Sequence, residues 1–264
     1  MKILISLLFL FCISRVQDDS MHGRGKTVMA VFAHSDDNIV VDRLLSHYAR
    51  SGYDVYLVLA TKGEKGVNTF AAIPAGDSLS HVRAREAICA CKALRIHAPI
   101  LLGMSDGTLA QDFTGAPLHK KIDSVFRIYK PDIVITWGPE GGYGHMDHRL
   151  VHDVVTEIYQ SGDLPGSCRL YYDALPAEDK EKMNVFKSPS LMAMRVNWKF
   201  VQKKYLPVRV KTGKEDAENA VQAMECQASQ FSAEERDELK SWIEASPDTV
   251  YLRPFMTYGK GPLD

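Results

Sequence analysis

The stretch TVMAVFAHSDDN (residues 27–38) decides the fold. Its first six residues, from Thr27 to Phe32, are β-forming and mostly apolar, and the run stops at a histidine and two aspartates. An apolar run of this length that ends in a polar turn is typical of a strand buried in a parallel sheet. Helical spacing of apolar residues follows over residues 39–50, and Gly52 ends that segment. We therefore interpret this stretch as a strand that leads through a polar turn into a helix.

The same order of strand and helix continues along the chain. Strands are predicted at residues 54–60, 99–102, 132–137 and 170–175, and helices at residues 79–94, 118–129, 147–160, 214–230 and 233–245. Alternating strands and helices predict the α/β class, here a single-domain, Rossmann-like, mostly parallel sheet with helices on both faces. The sequence shows no internal repeat and no linker. We divide it into a signal peptide (1–14), a polar segment (15–25) and one catalytic domain (26–264).

The N-terminal segment has the composition of an export signal. Lys2 precedes an apolar run from Ile3 to Ile13, and Cys12 and Ser14 are the small residues at the end of that run. We predict cleavage after Ser14 and an exported protein, secreted or periplasmic, with no stable membrane span after processing. The alternative is a retained membrane anchor, although the run is shorter than the roughly 20 residues that a spanning helix needs.

Charge and cysteine content narrow the classes of partner. The chain has 32 basic and 33 acidic residues, a net charge of -1, and no long basic run. Because phosphate binding needs clustered cations, we expect no nucleic-acid partner. The cysteines at positions 89, 91, 168 and 226 could pair in an exported protein, but their spacing forces no pairing, and we interpret them as unpaired structural residues. The oligomeric state is not determined by these patterns.

A second polar segment, GGYGHMDHR (residues 141–149), follows the predicted strand that ends at Trp137. In an open parallel sheet, ligands bind in the crevice beyond the carboxyl ends of the strands. Both polar segments lie at such ends. We therefore expect the two segments to meet in one crevice, although they are far apart in the sequence.

Together these segments contain more imidazoles and carboxylates than a turn and a helix cap require. We predict a zinc site with His34, Asp37 and His148 as ligands and water in the fourth position. Fe²⁺ also suits two histidines and an aspartate. Asp36 would remain beside the metal without being needed as a ligand, which is the position of a general base acting on the metal-bound water.

Two further side chains of the second segment have predicted roles. His145 lies three residues before His148 and would fall on the same side of a helical turn, where it could bind the substrate carbonyl oxygen or give it a proton. Asp147 is placed to hydrogen-bond an imidazole and hold its orientation. A rival ligand set is His145, His148 and His152 on one helix face. It would leave His34 and the two aspartates after it without a role.

The two segments resemble the signatures of the LmbE-like, or PIG-L, family of zinc-dependent N-acetylglucosaminyl de-N-acetylases. That family carries Ala-His-Pro-Asp-Asp-Glu after its first strand and Gly-His-x-Asp-His after a later one. The resemblance covers residues 26–160 best and continues weakly to about residue 230. It implies an LmbE-like fold, the same three zinc ligands, Asp36 as general base, and His145 as the group that stabilises the oxyanion, with Asp147 tuning that histidine. It also implies substrate contacts from Arg85, Asp106 and Tyr143.

The chain departs from the family pattern at three positions. Ser35 stands in place of proline, which should loosen the turn. Asn38 stands in place of glutamate, where it can still cap the following helix. Gln227 stands where the family often has histidine. None of these departures removes a predicted metal ligand.

The resemblance implies a metal-dependent hydrolase that removes an N-acetyl or other acyl group from an amino sugar or GlcNAc-containing glycoconjugate by means of a zinc-activated water. One alternative is an amidase that acts on a thiol conjugate or another small amide. Another is a non-catalytic carbohydrate- or metal-binding protein. A dinucleotide-binding enzyme is disfavoured, because no Gly-x-Gly-x-x-Gly follows the first strand.

Overall fold

The computed structural model describes residues 25–111, 115–162 and 164–256. The predicted signal peptide (1–14) lies outside this part of the chain, as does the polar segment up to residue 24. Among the described residues, no helix combines the length and the apolar character that crossing a membrane requires.

A seven-stranded sheet forms the centre of the structure, with the strand order β3-β2-β1-β4-β5-β7-β6. The five strands from β3 to β5 are parallel, and β7 and β6 add an antiparallel edge. The predicted mostly parallel α/β sheet is thereby confirmed. The strands are β1 (Thr27–Phe32), β2 (Asp54–Thr61), β3 (Ile100–Met104), β4 (Ile133–Thr136), β5 (Arg169–Asp173), β6 (Val208–Lys211) and β7 (Thr249–Pro254).

Helices cover both faces of the sheet, which explains why residues 28–32 of β1 are all apolar. Val28, Ala30 and Phe32 of β1 point into one buried cluster, and Met29 and Val31 point into the other. The first cluster packs against α1, α2, α5, α6 and α7, and the second against α3 and α4. The helices are α1 (Asp42–Arg50), α2 (Asp77–Ala93), α3 (Ala116–Tyr129), α4 (Met146–Ser161), α5 (Pro189–Asn197), α6 (Lys214–Glu225) and α7 (Ala233–Ala245).

The C-terminal third differs most from the prediction. The helix predicted over residues 214–230 ends at Glu225, and residues 226–231 form a turn instead. Two strands and one helix, namely β6, β7 and α5, were not predicted. β6 is a four-residue edge strand that is half exposed, and α5 is a short helix with only Leu191 buried. Elements this short and this exposed leave a weak periodicity in the sequence.

The structure corrects the interpretation of two cysteines. A disulfide joins Cys89 of α2 to Cys226, directly after α6, and their Cα atoms are 5.8 Å apart. Cys91 and Cys168 are buried and free. Since residues two apart on a helix point in nearly opposite directions, Cys91 faces the core while Cys89 faces outward toward the end of α6. The 137-residue separation of Cys89 and Cys226 gives no local signal of this pairing.

Candidate metal centre and active site

The two polar segments meet because β1 and β4 are neighbours in the sheet. These strands pair in parallel, with Val31 opposite Thr136, so their carboxyl ends open onto the same edge. The first segment forms the turn after β1, and the second forms the loop that leads into α4. The sheet topology therefore brings His34 and His148 together across 114 positions of sequence.

Three side-chain atoms of these segments converge. His34 Nδ1 lies 3.2 Å from His148 Nε2 and 3.5 Å from Asp37 Oδ1, and His148 Nε2 lies 3.2 Å from Asp37 Oδ1. Ligand atoms bound at about 2.0–2.2 Å to a tetrahedral zinc are about 3.3–3.6 Å apart. All three residues are buried. The spacing of these atoms is therefore that of three ligands around one small cation.

Hydrogen bonds orient the lone pairs of both imidazoles toward that common point. His148 Nδ1 lies 3.2 Å from the carbonyl oxygen of Gly141, so Nδ1 carries the proton and Nε2 is left with a lone pair. His34 Nε2 lies 3.3 Å from Asp106 Oδ1 and 3.5 Å from Asp147 Oδ2, which leaves the lone pair on Nδ1. Two lone pairs and a carboxylate oxygen at this spacing repel one another unless a cation lies between them. The donor set thus fits a divalent metal.

Asp37 is prepared for the same role. Its Oδ2 accepts hydrogen bonds from the backbone N–H groups of Ala33 (3.0 Å) and His34 (2.9 Å) and from Trp137 Nε1 (3.2 Å). Oδ1 is left to face the histidines. Burial opposes ionisation, but His148 and His34 outweigh it and hold the pKa of Asp37 well below its ordinary value. Asp37 is therefore ionised, as a metal ligand must be.

The pKa of His34 is raised well above its ordinary value, which also indicates a place for positive charge. Burial lowers this pKa, but the charge of Asp37 and the hydrogen bonds to Asp106 and Asp147 outweigh burial. A proton on His34 would supply the charge that these carboxylates favour. A divalent cation bound to Nδ1 would supply the same charge and would also satisfy His148.

Two other groups of side chains come close enough to be considered as ligands, with donor atoms within 4.8 Å of one another: His34, His145 and His148, and His34, Asp106 and Asp147. The distances from His34 Nε2 to Asp106 Oδ1 (3.3 Å) and Asp147 Oδ2 (3.5 Å) in the second group are similar to those among His34, Asp37 and His148, but that group does not include His148. In the second group the carboxylates face Nε2 of His34, across the ring from Nδ1. We therefore favour Asp37 as the third ligand.

His152 of the rival set has a different partner. Its Nδ1 lies 2.8 Å from the carbonyl oxygen of Trp137, and its ring contacts Tyr172. His152 belongs to neither group of potential ligands among the described residues. The structure thus gives no support to a site built along one face of α4.

Asp36 lies beside the three ligands without joining them. It is half-buried and, with Asp37, forms part of the wall of a large cavity. Burial and the negative charge of Asp37 raise its pKa, against the lowering effect of Arg83 and His34. A carboxylate with a raised pKa is a stronger base than an exposed one. The position and environment of Asp36 suit the predicted role of general base, which remains a prediction.

His145 is oriented by the backbone of α4. Its Nδ1 accepts a hydrogen bond from the N–H of Asp147 at 3.2 Å, so the neutral imidazole carries its proton on Nε2. Burial, followed by the charges of His148 and His34, lowers the pKa of His145. A neutral His145 therefore has an N–H to donate. The sequence-based mechanism predicts a protonated His145 that stabilises the oxyanion, whereas the lowered pKa favours the neutral imidazole.

The side chain of Asp147 lies against a different histidine from the one implied by the resemblance. Its Oδ2 accepts a hydrogen bond from the N–H of Gly107 at 3.0 Å and lies 3.5 Å from His34 Nε2. Only its backbone N–H bonds to His145. Asp147 therefore contacts the predicted metal ligand His34 directly and contacts His145 through its backbone N–H at the start of α4.

Asp106 and Tyr143 also lie at the centre. Asp106 is buried; burial would raise its pKa, but hydrogen bonds from His34 and the N–H of Lys65 lower the pKa to about 2. Its carboxylate is engaged with these groups. The ring of Tyr143 lies 5.3 Å from that of His148, and burial, followed by three nearby carboxylates, raises its pKa. Tyr143 therefore keeps its proton and can donate it in a hydrogen bond.

Arg83, rather than the predicted Arg85, is the arginine of α2 whose charge acts on the carboxylates of the site. Arg85 is exposed on α2, whereas Arg83 is buried. Arg83 donates hydrogen bonds to the carbonyl oxygen of Gly66, at 2.5 Å, and to Gln230 Oε1, and its charge acts on Asp36. Two residues on a helix are separated by about 200°. Arg83 and Arg85 therefore lie on nearly opposite faces of α2, and Arg83 is on the buried face.

The departures from the family pattern have structural consequences at the turn. Asn38 does not cap α1; its Nδ2 instead donates to Asp42 Oδ1 at 2.5 Å. Gln227 donates from Nε2 to the carbonyl oxygen of Ser35 at 2.9 Å. The turn after α6 thus supports the segment that carries Asp36 and Asp37.

Comparison with known proteins agrees with the motifs. The model of the PIG-L family, described as GlcNAc-PI de-N-acetylase, matches residues 29–159. This part of the chain belongs to the PIG-L family. The resemblance drawn from the two motifs is thereby confirmed, and the PIG-L region contains both polar segments.

A curated relative and two solved structures extend the comparison. The 1D-myo-inositol 2-acetamido-2-deoxy-alpha-D-glucopyranoside deacetylase of Mycobacteroides abscessus is 32% identical over 151 residues, which are 50% of this chain and 54% of the relative. The chain thus spans about half the length of the curated relatives it matches. The N,N'-diacetylchitobiose deacetylase of Pyrococcus horikoshii has a TM-score of 0.64 at 15% identity, covering 87% of this chain and 84% of that structure.

The second structure shows that the fold does not by itself decide the reaction. The 4-carboxy-2-hydroxymuconate hydratase GalB of Pseudomonas putida has a TM-score of 0.62 at 15% identity, and the match covers 90% of this chain and 100% of that structure. A deacetylase and a hydratase therefore share this architecture. The function has to be argued from the side chains at the site.

Proposed function

We propose that this protein is a zinc-dependent hydrolase that removes the N-acetyl group from an amino sugar or a GlcNAc-containing conjugate. The observation that carries the proposal is the convergence of His34, Asp37 and His148 next to the carboxylate of Asp36. The membership of residues 29–159 in the PIG-L family and the activity named for the mycobacterial relative support the choice of an amide substrate.

Zinc fits the donor set, because two imidazoles and one carboxylate are typical ligands of catalytic zinc. When bound, the metal would make a water molecule more acidic and polarise the substrate carbonyl. His34, Asp37 and His148 would hold it. Asp106, Asp147 and the carbonyl of Gly141 would orient the two imidazoles through their outer nitrogens.

The residues around the ligands perform the proton transfers. Asp36 takes a proton from the attacking water, whose oxygen forms a bond to the acetamide carbon. The Nε2–H of His145 donates a hydrogen bond to the carbonyl oxygen as negative charge develops there. A preorganised donor of this kind stabilises the transition state by about 3–4 kcal/mol. Asp36 then delivers its proton to the sugar nitrogen as the C–N bond breaks. The products are acetate and the free amine.

The direct test is acetate release from a panel of N-acetylglucosamine derivatives, measured on metal-depleted protein and again after one equivalent of zinc is added. We expect activity only with metal. The variant Asp36→Asn should keep its zinc and lose about 10²–10⁴-fold in kcat, as expected for removal of a general base. Full activity of this variant, or acetate release that does not depend on added zinc, would refute the proposal.

We also propose that the protein is exported. The apolar N-terminal run supports this location, and so does the Cys89–Cys226 disulfide, because disulfides persist in oxidising compartments. Expression of the full chain in a host that secretes proteins should yield a mature N-terminus at Arg15, as read by N-terminal sequencing. A protein that keeps residues 1–14 and sediments with membranes would favour the anchored alternative.

A further inference from the structure

A large cavity opens beside Asp36 and Asp37. Its volume is about 420 Å³, and Asp36, Asp37, Trp137 and Tyr143 line the end nearest the metal ligands. A cavity of about 150 Å³ is already large enough to bind benzene. The methyl group of an acetamide would therefore fill only a small part of this space.

The body of the cavity is apolar. All three tryptophans of the chain line it, and Trp198 and Trp242 are largely buried. The remaining apolar lining residues are Ile39, Val40, Leu175, Met183, Leu191, Ala193, Met194, Phe231 and Leu239. Aromatic and aliphatic walls of this kind bind apolar groups by removing them from water.

The polar residues in the cavity body already have partners within the protein. Asn68 donates to the carbonyl oxygens of Ser229 and Gln230, and Asn197 donates to that of Ala193. Ser190 donates to Glu235, and Gln230 accepts from Arg83. These pairings occupy the amide nitrogens of Asn68 and Asn197 and the amide oxygen of Gln230. The groups that can act on a substrate lie at the metal end.

Most of the lining comes from outside the PIG-L region. Thirteen of the twenty lining residues follow residue 159, where the family match ends. They come from α5, α7 and the segments next to them. Most of the cavity wall is therefore built by the part of the chain that follows the PIG-L region.

We propose that the substrate carries an apolar group that occupies this cavity while its amide lies at Asp36. The inference rests on the proposed amide hydrolysis and specifies its substrate class. The apolar group is either the acyl chain, which would then be longer than acetyl, or an apolar substituent on the amine side. Both place hydrocarbon against the same walls, and two series of substrates distinguish them.

The experiment measures kcat/KM for zinc-loaded protein. One series consists of N-acylglucosamines with acyl chains of two to ten carbons, and the other of N-acetylglucosaminides with alkyl aglycones of one to ten carbons. Burial of a methylene stabilises a complex enough to raise kcat/KM about three- to fourfold. We expect this increase for several successive methylenes in one series, followed by a plateau when the cavity is full.

Two variants of α5 provide a matched pair. Met194 lines the cavity and is half-buried, whereas Met192 is 44% exposed and does not line it. Met194→Glu places a charge in the apolar wall, so it should abolish the dependence of kcat/KM on chain length. Met192→Glu should behave as the unmodified protein.

A binding measurement does not depend on turnover. Because every tryptophan lines the cavity, titration with 1-octanol should give a saturable change of tryptophan fluorescence in the unmodified protein and in Met192→Glu. The change should be lost in Met194→Glu. Circular dichroism verifies that both variants are folded.

The outcomes separate the two proposals. Hydrolysis with a flat dependence on chain length in both series, and no saturable fluorescence change, would overturn the apolar-substrate inference and leave the deacetylase function standing. Absence of zinc-dependent hydrolysis from every member of both series would overturn the proposed function itself, and with it the substrate class. A rise in the acyl series alone, or in the aglycone series alone, supports the inference and identifies the position of the apolar group.

Discussion

The indole ring of Trp137 lies flat on the imidazole of His148, with ring centroids 4.2 Å apart and planes 5° from parallel. The Nε1–H of the same indole donates to Asp37 Oδ2 at 3.2 Å. One side chain at the end of β4 therefore contacts two of the three predicted metal ligands. Trp137 fixes the position of a carboxylate from the first segment relative to an imidazole from the second.

Replacement of Trp137 should weaken metal binding without removing a ligand. Trp137→Phe keeps an aromatic ring against His148 but loses the hydrogen bond to Asp37. Loss of such an outer partner typically costs about 10–100-fold in metal affinity, and we expect zinc affinity to fall within that range. Competition with a chelating dye measures the change. Trp242→Phe, at a tryptophan remote from the ligands, is the control, and equal affinities of the two variants would argue against this role of Trp137.

Arg83 and Arg85 should differ sharply in their effect on the pH profile. Arg83 lowers the pKa of Asp36, so Arg83→Gln should raise that pKa and move the acidic limb of kcat/KM to higher pH. We also expect kcat/KM to fall at least about tenfold, because the carbonyl oxygen of Gly66 and the amide oxygen of Gln230 lose their hydrogen-bond donor. Arg85→Gln should leave both quantities unchanged. A change of the pH profile and of kcat/KM in Arg85→Gln, with no change in Arg83→Gln, would instead assign this role to Arg85.

Asp42 should make stability depend on pH. It is 1% exposed, and burial raises its pKa to about 7, against the lowering effect of the hydrogen bond from Asn38. Because the folded-state pKa exceeds the unfolded value, the neutral acid is the favoured folded form. Its contribution to the free energy of unfolding is full below about pH 4 and falls as the pH rises toward 7.

The isosteric variant Asp42→Asn removes this dependence. At pH 4 it should unfold at nearly the same urea concentration as the unmodified protein. At pH 8 it should be more stable, by an amount on the order of 2–4 kcal/mol. Urea unfolding at the two pH values measures the difference. An identical shift at both pH values would show that Asp42 does not titrate as described.

The Cys89–Cys226 disulfide should contribute to stability. It closes a long loop between α2 and the turn after α6, and loss of a native disulfide typically costs about 2–5 kcal/mol. The double variant Cys89→Ala/Cys226→Ala should therefore melt at a lower temperature than the oxidised protein. Reductant should lower the melting temperature of the unmodified protein toward that of the double variant and should not affect the variant. A reductant effect of equal size in both would exclude this bond as its cause.

The sequence predicts the parts of the structure that repeat a strong local pattern. The apolar run of β1 and the helical spacing of α2, α3 and α4 predict a parallel sheet. Ligands bind beyond the carboxyl ends of the strands in such a sheet, so both polar segments are expected at that edge. His34 and His148 could therefore be brought together from sequence because each directly follows a strand or begins a helix at that edge.

The remaining features depend on long-range packing, which no local pattern records. Arg83 and Arg85 are equally plausible in the sequence, and only the packing of α2 shows which one is buried. The bond between Cys89 and Cys226 depends on the position of α6. The sequence predicts Trp137 only as the last apolar residue of a strand. Its contact with both polar segments depends on the pairing of β1 with β4 in the sheet. The cavity is hidden for the same reason, since its walls come from α5, α7 and the segments beside them.

The measurement that tests the account most directly is zinc binding by metal-depleted protein, with the affinity measured by calorimetry and the zinc content by elemental analysis. The account predicts one zinc per chain in the unmodified protein and in His152→Asn. It predicts loss of that zinc in each of His34→Ala, Asp37→Ala and His148→Ala, with the fold retained by circular dichroism. Tight binding of zinc by all three folded ligand variants, or its loss in His152→Asn alone, would contradict the central claim that these three side chains jointly hold one metal ion.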